Sequence, residues 1–176
     1  TLNIAHGRGL SAYQGLHILK QRSEAALQEA YATADADAAL AEFAKANSDQ
    51  PIGGFAALRT ADEAYTAQDY ATALEFYTLA ASALEEPSLA GRAQLGQAFA
   101  SYQNGDTDDG LARLNAISAD PSLAEAARAE AAYHLAIEAD SAGNAAEFET
   151  YAAQINQSTY AGQWQQRLNF YQRQTR

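Results

Sequence analysis

The sequence predicts an all-α protein, an α-solenoid of helical hairpins that ends in a closing helix. The first observation is composition: the 176 residues include no valine, and alanine, the best helix former, supplies much of the apolar content. A chain without valine lacks a residue that β-sheets commonly use. The second observation is an internal repeat of a hairpin-like unit about 37 residues long. Units of this kind bury a continuous core by stacking on their neighbours.

The clearest copy of the repeat spans residues 56–77. Leu58, Ala61 and Tyr65 lie at helical spacing on its first helix, and a turn separates them from a second helix with the same spacing. The order of leucine, small residue, tyrosine, turn and small residue recurs in the next copy, and a looser third copy follows. Because small side chains let two backbones approach closely, we expect Ala61 and Ala73 where the helices of this hairpin cross.

We expect a single domain over the whole chain. Residues 1–50 hold a long and a short helix, residues 51–156 hold three helical hairpins, and residues 157–176 form the closing helix. One of the three prolines precedes the first helix of each hairpin. This placement is consistent with the hairpin boundaries, because proline fits the first turn of a helix but breaks its interior. At the last of these helix starts, Ser122 and Glu125 predict a capping box.

The charge balance limits the classes of partner. With 22 acidic and 11 basic residues, the chain carries a formal net charge of −11. Nucleic acids need clustered cations, so we expect no nucleic-acid partner and no binding to anionic lipid surfaces. No run of 18 apolar residues occurs, so we expect no direct membrane insertion of this segment. The acidity favours a basic or unfolded polypeptide as partner.

No motif for catalysis or for a cofactor is present. The chain lacks cysteine, a nucleophile motif and a phosphate loop, so we expect a protein that is not an enzyme and has no cofactor. Residues 104–110 resemble the start of a calcium loop, but Asp109 and Asn115 stand where such a loop needs glycine and glutamate. We expect Asp106 to cap a helix instead. None of the three histidines has the spacing of a metal ligand pair, so we expect no metal site.

Side chains on the first helices of the hairpins are the candidate partner-binding residues. They are Arg59, Arg92, Phe99, Tyr133 and His134. Cations are scarce on this chain, and arginine and aromatic residues dominate the energy of many interfaces. In helical arrays the first helices line an inner surface that commonly binds peptides. The alternative interpretation is that the aromatic side chains form the core between hairpins.

Three further stretches carry a resemblance to a known family. A long helix is followed by a short helix that ends in Phe43-Ala44-Lys45-Ala46-Asn47, and a turn leads into Gly54-Phe55-Ala56-Ala57-Leu58-Arg59. The next hairpin holds Asp69-Tyr70-Ala71-Thr72-Ala73-Leu74. With these motifs, residues 38–155 resemble a degenerate tetratricopeptide protein and, more narrowly, the extracytoplasmic domain of the ancillary subunit of the bacterial Sec translocon. The lysines and asparagines that clamp a peptide's terminal carboxylate in some tetratricopeptide proteins are missing.

The resemblance implies a non-catalytic protein–protein interaction scaffold or chaperone-adaptor of the bacterial cell envelope. It further implies a periplasmic or other extracytoplasmic location and a transmembrane anchor upstream of residue 1. Two alternatives stay open: another envelope adaptor, in outer-membrane assembly or peptidoglycan synthesis, and a ligand-binding helical domain with an acidic groove. A ligand-binding or catalytic domain should show a dry pocket with converging polar groups, whereas a scaffold should show an open groove. The partner's identity and the oligomeric state stay open.

Overall fold

The computed structural model describes residues 20–32 and 36–175, and within these ranges the chain forms nine helices and no strand. Helix α1 is described over residues 20–32. The other helices are α2 (Ala36–Ala46), α3 (Pro51–Thr66), α4 (Tyr70–Ala83), α5 (Pro87–Gln103), α6 (Thr107–Ala119), α7 (Glu125–Ser141), α8 (Ala145–Asn156) and α9 (Ala161–Thr175). The predicted all-α class is confirmed over the described residues; the start of the predicted long N-terminal helix lies outside them. Among the described helices, none combines the length and the apolar character that crossing a membrane requires.

Helices that are neighbours in the chain are also neighbours in space. From α2 to α8, each helix packs mainly against its neighbours in the chain, and α3, α5 and α7 also touch in sequence. Helix α9 packs against both α7 and α8. The buried side chains accordingly form three clusters, which are centred on α2 to α4, on α5 to α7 and on α7 to α9. The core therefore extends along the run of helices and has no single centre.

Small residues occupy buried positions on the paired helices. Ala61 of α3 and Ala73 of α4 are both fully buried, as the sequence predicts, and so is Ala98 in the following hairpin. A Cβ atom at Gly110 would lie 2.9 Å from the carbonyl oxygen of Ala98 and 2.7 Å from the Cβ of Tyr102. The chain therefore has no room for a side chain at Gly110, the position equivalent to Ala73.

The three hairpin loops share one turn geometry. The first helix is followed by a residue in the right-handed helical backbone conformation, the next residue has a positive φ, and the residue after that caps the second helix. The residues with positive φ are Gln68, Gly105 and Gly143. The capping side chains, each of which accepts a hydrogen bond from a backbone N–H three residues later, are Asp69, Asp106 and Asn144. The predicted cap at Asp106 is thus confirmed, and residues 104–110 form a turn and helix start.

The predicted capping box at Ser122 and Glu125 is wrong. Helix α7 begins at Glu125, and its N-cap residue, Ala124, offers no side-chain cap. The Ser122 hydroxyl instead donates to Asp120 at 2.6 Å. The Glu125 carboxylate accepts hydrogen bonds from the backbone N–H and the hydroxyl of Thr159, at 3.0 and 2.7 Å. A tertiary contact with the loop before α9 has taken the place of the local cap.

Enlarging Ala73 should destabilise the protein. Because Ala73 has no exposed surface, Ala73→Leu forces α3 and α4 apart and should lower the free energy of unfolding by about 1–3 kcal/mol. Thermal and denaturant unfolding measure this loss. Ala71→Leu, an equal change at an exposed position of the same helix, is the control and should have little effect. Equal stability of the two variants would contradict the proposed helix crossing.

Two glycines with open surroundings should respond to alanine with opposite signs. A Cβ atom at Gly105 or at Gly162 meets nothing within 4 Å, but Gly105 has a φ of +99°. Gly105→Ala should therefore destabilise by about 1 kcal/mol, because L-residues avoid this backbone conformation. Gly162→Ala in α9 should stabilise by about 0.5–1 kcal/mol. Chemical denaturation of both variants tests the pair, and a stabilising Gly105→Ala would rule out the turn geometry described above.

Candidate functional site

The structure brings some of the five predicted binding residues together and separates others. Arg92 and Phe99, both on α5, line one cleft. His134 of α7 shares a second recess with Phe99. Arg59 of α3 and Tyr133 of α7 each border a further recess. The five side chains thus follow the first helices of the hairpins but do not form one continuous site.

The cleft that contains Arg92 and Phe99 is the best candidate for a binding site. It has a volume of about 520 Å³ and is bounded by α3, α4, α5, the start of α7 and the loop before α9. We call it the central cleft; its lining residues are Asp62, Tyr77, Ser88, Arg92, Leu95, Gly96, Phe99, Ala124, Glu125, Ala126, Ala127, Glu130 and Tyr160. A volume of this size lies within the usual range for ligand pockets.

Asp62 organises one wall of the central cleft. One of its oxygens accepts a hydrogen bond from the Tyr77 hydroxyl at 2.7 Å, and the other pairs with the guanidinium of Arg92. The Tyr77 ring lies against Gly96, where a Cβ atom would come within 2.3 Å of it. Burial, followed by the hydrogen bond to Asp62, raises the pKa of Tyr77 above its usual range. The hydroxyl therefore stays protonated and holds the Asp62 carboxylate in place.

Both predicted arginines are already paired within the chain. Arg92 binds Asp62, and the Arg59 Nε donates to Glu63 at 2.9 Å while its guanidinium lies 5.0 Å from the centre of the Tyr31 ring. The side chains of Arg92 and Arg59 are 61% and 55% exposed. Solvent-exposed ion pairs contribute only about 0–1 kcal/mol. A partner could therefore replace either pairing at little cost, but neither arginine is a preformed free cation.

The opposite wall of the central cleft is acidic. Glu130 is about half-buried, and its carboxylate makes no hydrogen bond or ion pair with the described residues. Burial raises the pKa of Glu130, and the positive charge of Arg167 offsets part of this rise. The hydrogen bonds from Thr159 lower the pKa of the neighbouring Glu125 carboxyl. Asp62, Glu125 and Glu130 together outweigh Arg92, so the cleft has a negative balance of charge.

A row of aromatic rings connects α5, α7 and α9. The rings of Phe99 and His134 meet edge to face with their centres 4.6 Å apart, and those of His134 and Tyr133 are 5.2 Å apart. Tyr133 continues the row to Trp164, at 4.8 Å. Phe99, Tyr133 and His134 are partly buried, so each contributes to packing between hairpins and also borders a recess. Whether they bind a partner stays a prediction.

Sequence reasoning missed three residues of the central cleft: Asp62, Glu130 and Tyr160. The chain has many carboxylates, and composition alone does not distinguish these from solvated ones. One signal was available for Glu130, which lies between the buried residues Ala129 and Ala131 and one helical turn before His134. A carboxylate in an alanine-rich run that is otherwise buried is a candidate for a half-buried site.

The chemistry of the cleft suits cationic side chains. Half-buried carboxylates attract guanidinium and ammonium groups, and the faces of Tyr160 and Phe99 offer surfaces for them.

Within residues 20–32 and 36–175, no group of three or more histidine, aspartate or glutamate side chains is arranged to hold a metal ion. Comparison of the chain with models of protein families, with curated proteins and with solved structures finds no significant match.

His134 should make stability depend on pH. Burial, and to a lesser extent Arg167, lowers the pKa of His134, so the unfolded chain binds a proton more readily than the folded protein. Stability from this residue is fully present above the ordinary histidine pKa of about 6.5 and is lost as the pH falls below it.

Thermal melts between about pH 7.5 and pH 5.5 measure this effect. The melting temperature of the parent should fall further than that of His134→Gln, which cannot gain the proton. Parallel pH profiles for the parent and the variant would contradict the buried, neutral histidine.

Proposed function

We propose that this chain is a tetratricopeptide-like array of helical hairpins that binds a protein partner as a non-catalytic scaffold or adaptor. Hydrogen bonds between the second and third hairpins support the repeat, because all three join residues at one sequence separation. Tyr102 to Glu138, Asn115 to Tyr151 and Gln154 to Ser118 each join residues 36 apart. The proposed location in the bacterial cell envelope, and an anchor upstream of residue 1, rest on the resemblance to the ancillary Sec subunit.

The observation that carries the binding proposal is the Glu130 carboxylate in the central cleft, which accepts no hydrogen bond from the described residues. Its burial is only partly offset by the charge of Arg167, so a second cation close to it would stabilise it further. An arginine or lysine side chain of a partner would supply that cation, and its stem would lie against Tyr160 and Phe99. The proposed occupant is therefore a basic, extended protein segment.

The shape of the cleft supports a binding surface over an enclosed ligand or catalytic pocket. Its charged groups Arg92 and Asp62 are solvent-accessible, with 61% and 37% of their side-chain surfaces exposed. Asp62 and Glu125 already accept hydrogen bonds from the chain itself. An extended peptide segment can approach these groups from solvent and replace the water molecules bound to them, as peptides do in binding grooves.

Glu130→Gln should stabilise the protein and weaken binding at the same time. The change removes a half-buried charge, so the melting temperature at about pH 7 should rise. The same change removes the carboxylate that meets the partner's cation, so a short fluorescent peptide in which arginine alternates with alanine should bind about tenfold more weakly. Fluorescence anisotropy measures the Kd.

Glu149→Gln is the matched control, because it removes the same charge from an exposed position on α8. It should change neither the melting temperature nor the Kd beyond a small electrostatic effect. If the two variants bind the peptide equally, non-specific attraction to an acidic protein explains the binding. If the parent does not bind the basic peptide at all, the central cleft has a different occupant.

A further inference from the structure

The last helix differs in charge from the rest of the chain. All 22 acidic residues precede Thr150, whereas three of the 11 basic residues follow it. Two of these, Arg167 and Arg173, lie on exposed positions of α9. In this strongly acidic protein, α9 therefore carries two exposed arginines and no acidic side chain.

Helix α9 buries only a narrow stripe. Trp164 and Leu168, one turn apart, contact Ile155 of α8 and the alanines of α7. On an adjoining side of α9, six residues at helical spacing border a recess of about 470 Å³ against Tyr133. We call this side the C-terminal face; its α9 residues are Gln163, Gln166, Arg167, Phe170, Tyr171 and Gln174.

The C-terminal face combines an exposed aromatic side chain with positive charge. Phe170 is 62% exposed, more than any other large apolar side chain among the described residues. The Arg167 guanidinium lies 4.6 Å from the centre of the Trp164 ring, which holds it beside the recess. Arg173 does not border the recess, but it lies beside the C-terminal face, three residues after Phe170, and forms no ion pair with a described residue. Glutamine side chains complete the face with hydrogen-bond donors and acceptors.

We propose that the C-terminal face is a second docking surface, and that it binds an acidic protein segment with an apolar side chain that packs on Phe170. Charge complementarity supplies the argument: the arginines of α9 attract carboxylates, while the chain before α9, with 22 acidic and eight basic residues, repels an acidic segment overall. The recess and the central cleft share no lining residue. The two surfaces would therefore select partner segments of opposite charge.

Two other occupants fit the charges less well. An anionic membrane is a broad surface, and it would also face a chain whose net charge is −11. A second copy that docked its own α9 symmetrically would bring two positively charged helices together, and a head-to-tail contact would build a ring or an open filament of copies. A narrow acidic segment meets only the C-terminal face and avoids both difficulties.

Fluorescence anisotropy with a short peptide in which glutamate alternates with leucine tests the proposal. The parent should bind this peptide, more weakly at high salt, and should bind the peptide with glutamine in place of glutamate much less. Phe170→Ser combined with Arg173→Gln should raise the Kd about tenfold or more. Both side chains are exposed, so the double variant should melt like the parent.

The matched control is Phe55→Ser combined with Arg22→Gln, which removes an exposed phenylalanine from α3 and an exposed arginine from α1. It should leave the Kd unchanged.

The proposal is overturned if the parent does not bind the acidic peptide, if both double variants bind it equally, or if the glutamine peptide binds as tightly. Sedimentation that shows self-association lost only in the α9 variant, without peptide binding, would assign the face to a second copy. Binding to anionic vesicles that is lost only in the α9 variant, without peptide binding, would assign the face to lipid.

Discussion

The structure depends on the close approach of paired helices at alanine and glycine. Most of the buried apolar positions are alanines, and the largest fully buried side chains are only Leu40, Ile155 and Ser101. A core of such small residues removes less apolar surface per residue than one rich in leucine, so helix backbones must come close to keep the interior densely packed. Gly110, which lies against Ala98 and Tyr102 across its hairpin, marks one of these approaches.

The same packing positions the candidate site. Because Gly96 has no side chain, the Tyr77 ring of α4 can lie against α5, and its hydroxyl reaches Asp62 of α3. Asp62 then pairs with Arg92, so three helices contribute to one wall of the central cleft. The electrostatics of that wall follow from a steric feature of the core, and a larger residue at position 96 would alter both.

Much of the secondary structure could be predicted because its determinants are local. Pro51 and Pro87 stand in the first turns of α3 and α5, and Asp69 and Asp106 cap α4 and α6 through backbone groups three residues away. Gln68 adopts the positive φ that glycine has in the other two loops, which a pattern of glycines does not reveal. The error at Ser122 and Glu125 has a tertiary cause. The Glu125 carboxylate accepts a hydrogen bond from Thr159, 34 residues away, and does not form the local cap.

The sequence by itself determined the helical class, the hairpin period and the burial of Ala61 and Ala73, because propensity, capping and small-residue spacing act within a few residues. Only the tertiary structure decided which charged side chains form pairs and which side chains are buried or exposed. Arg92 meets a carboxylate 30 residues away, while Glu130 is half-buried without a hydrogen-bond donor among the described residues and α9 turns Phe170 to solvent. Those outcomes depend on which helix faces lie against each other, and electrostatic and burial energies are set by distances in space that residue spacing along one chain does not specify.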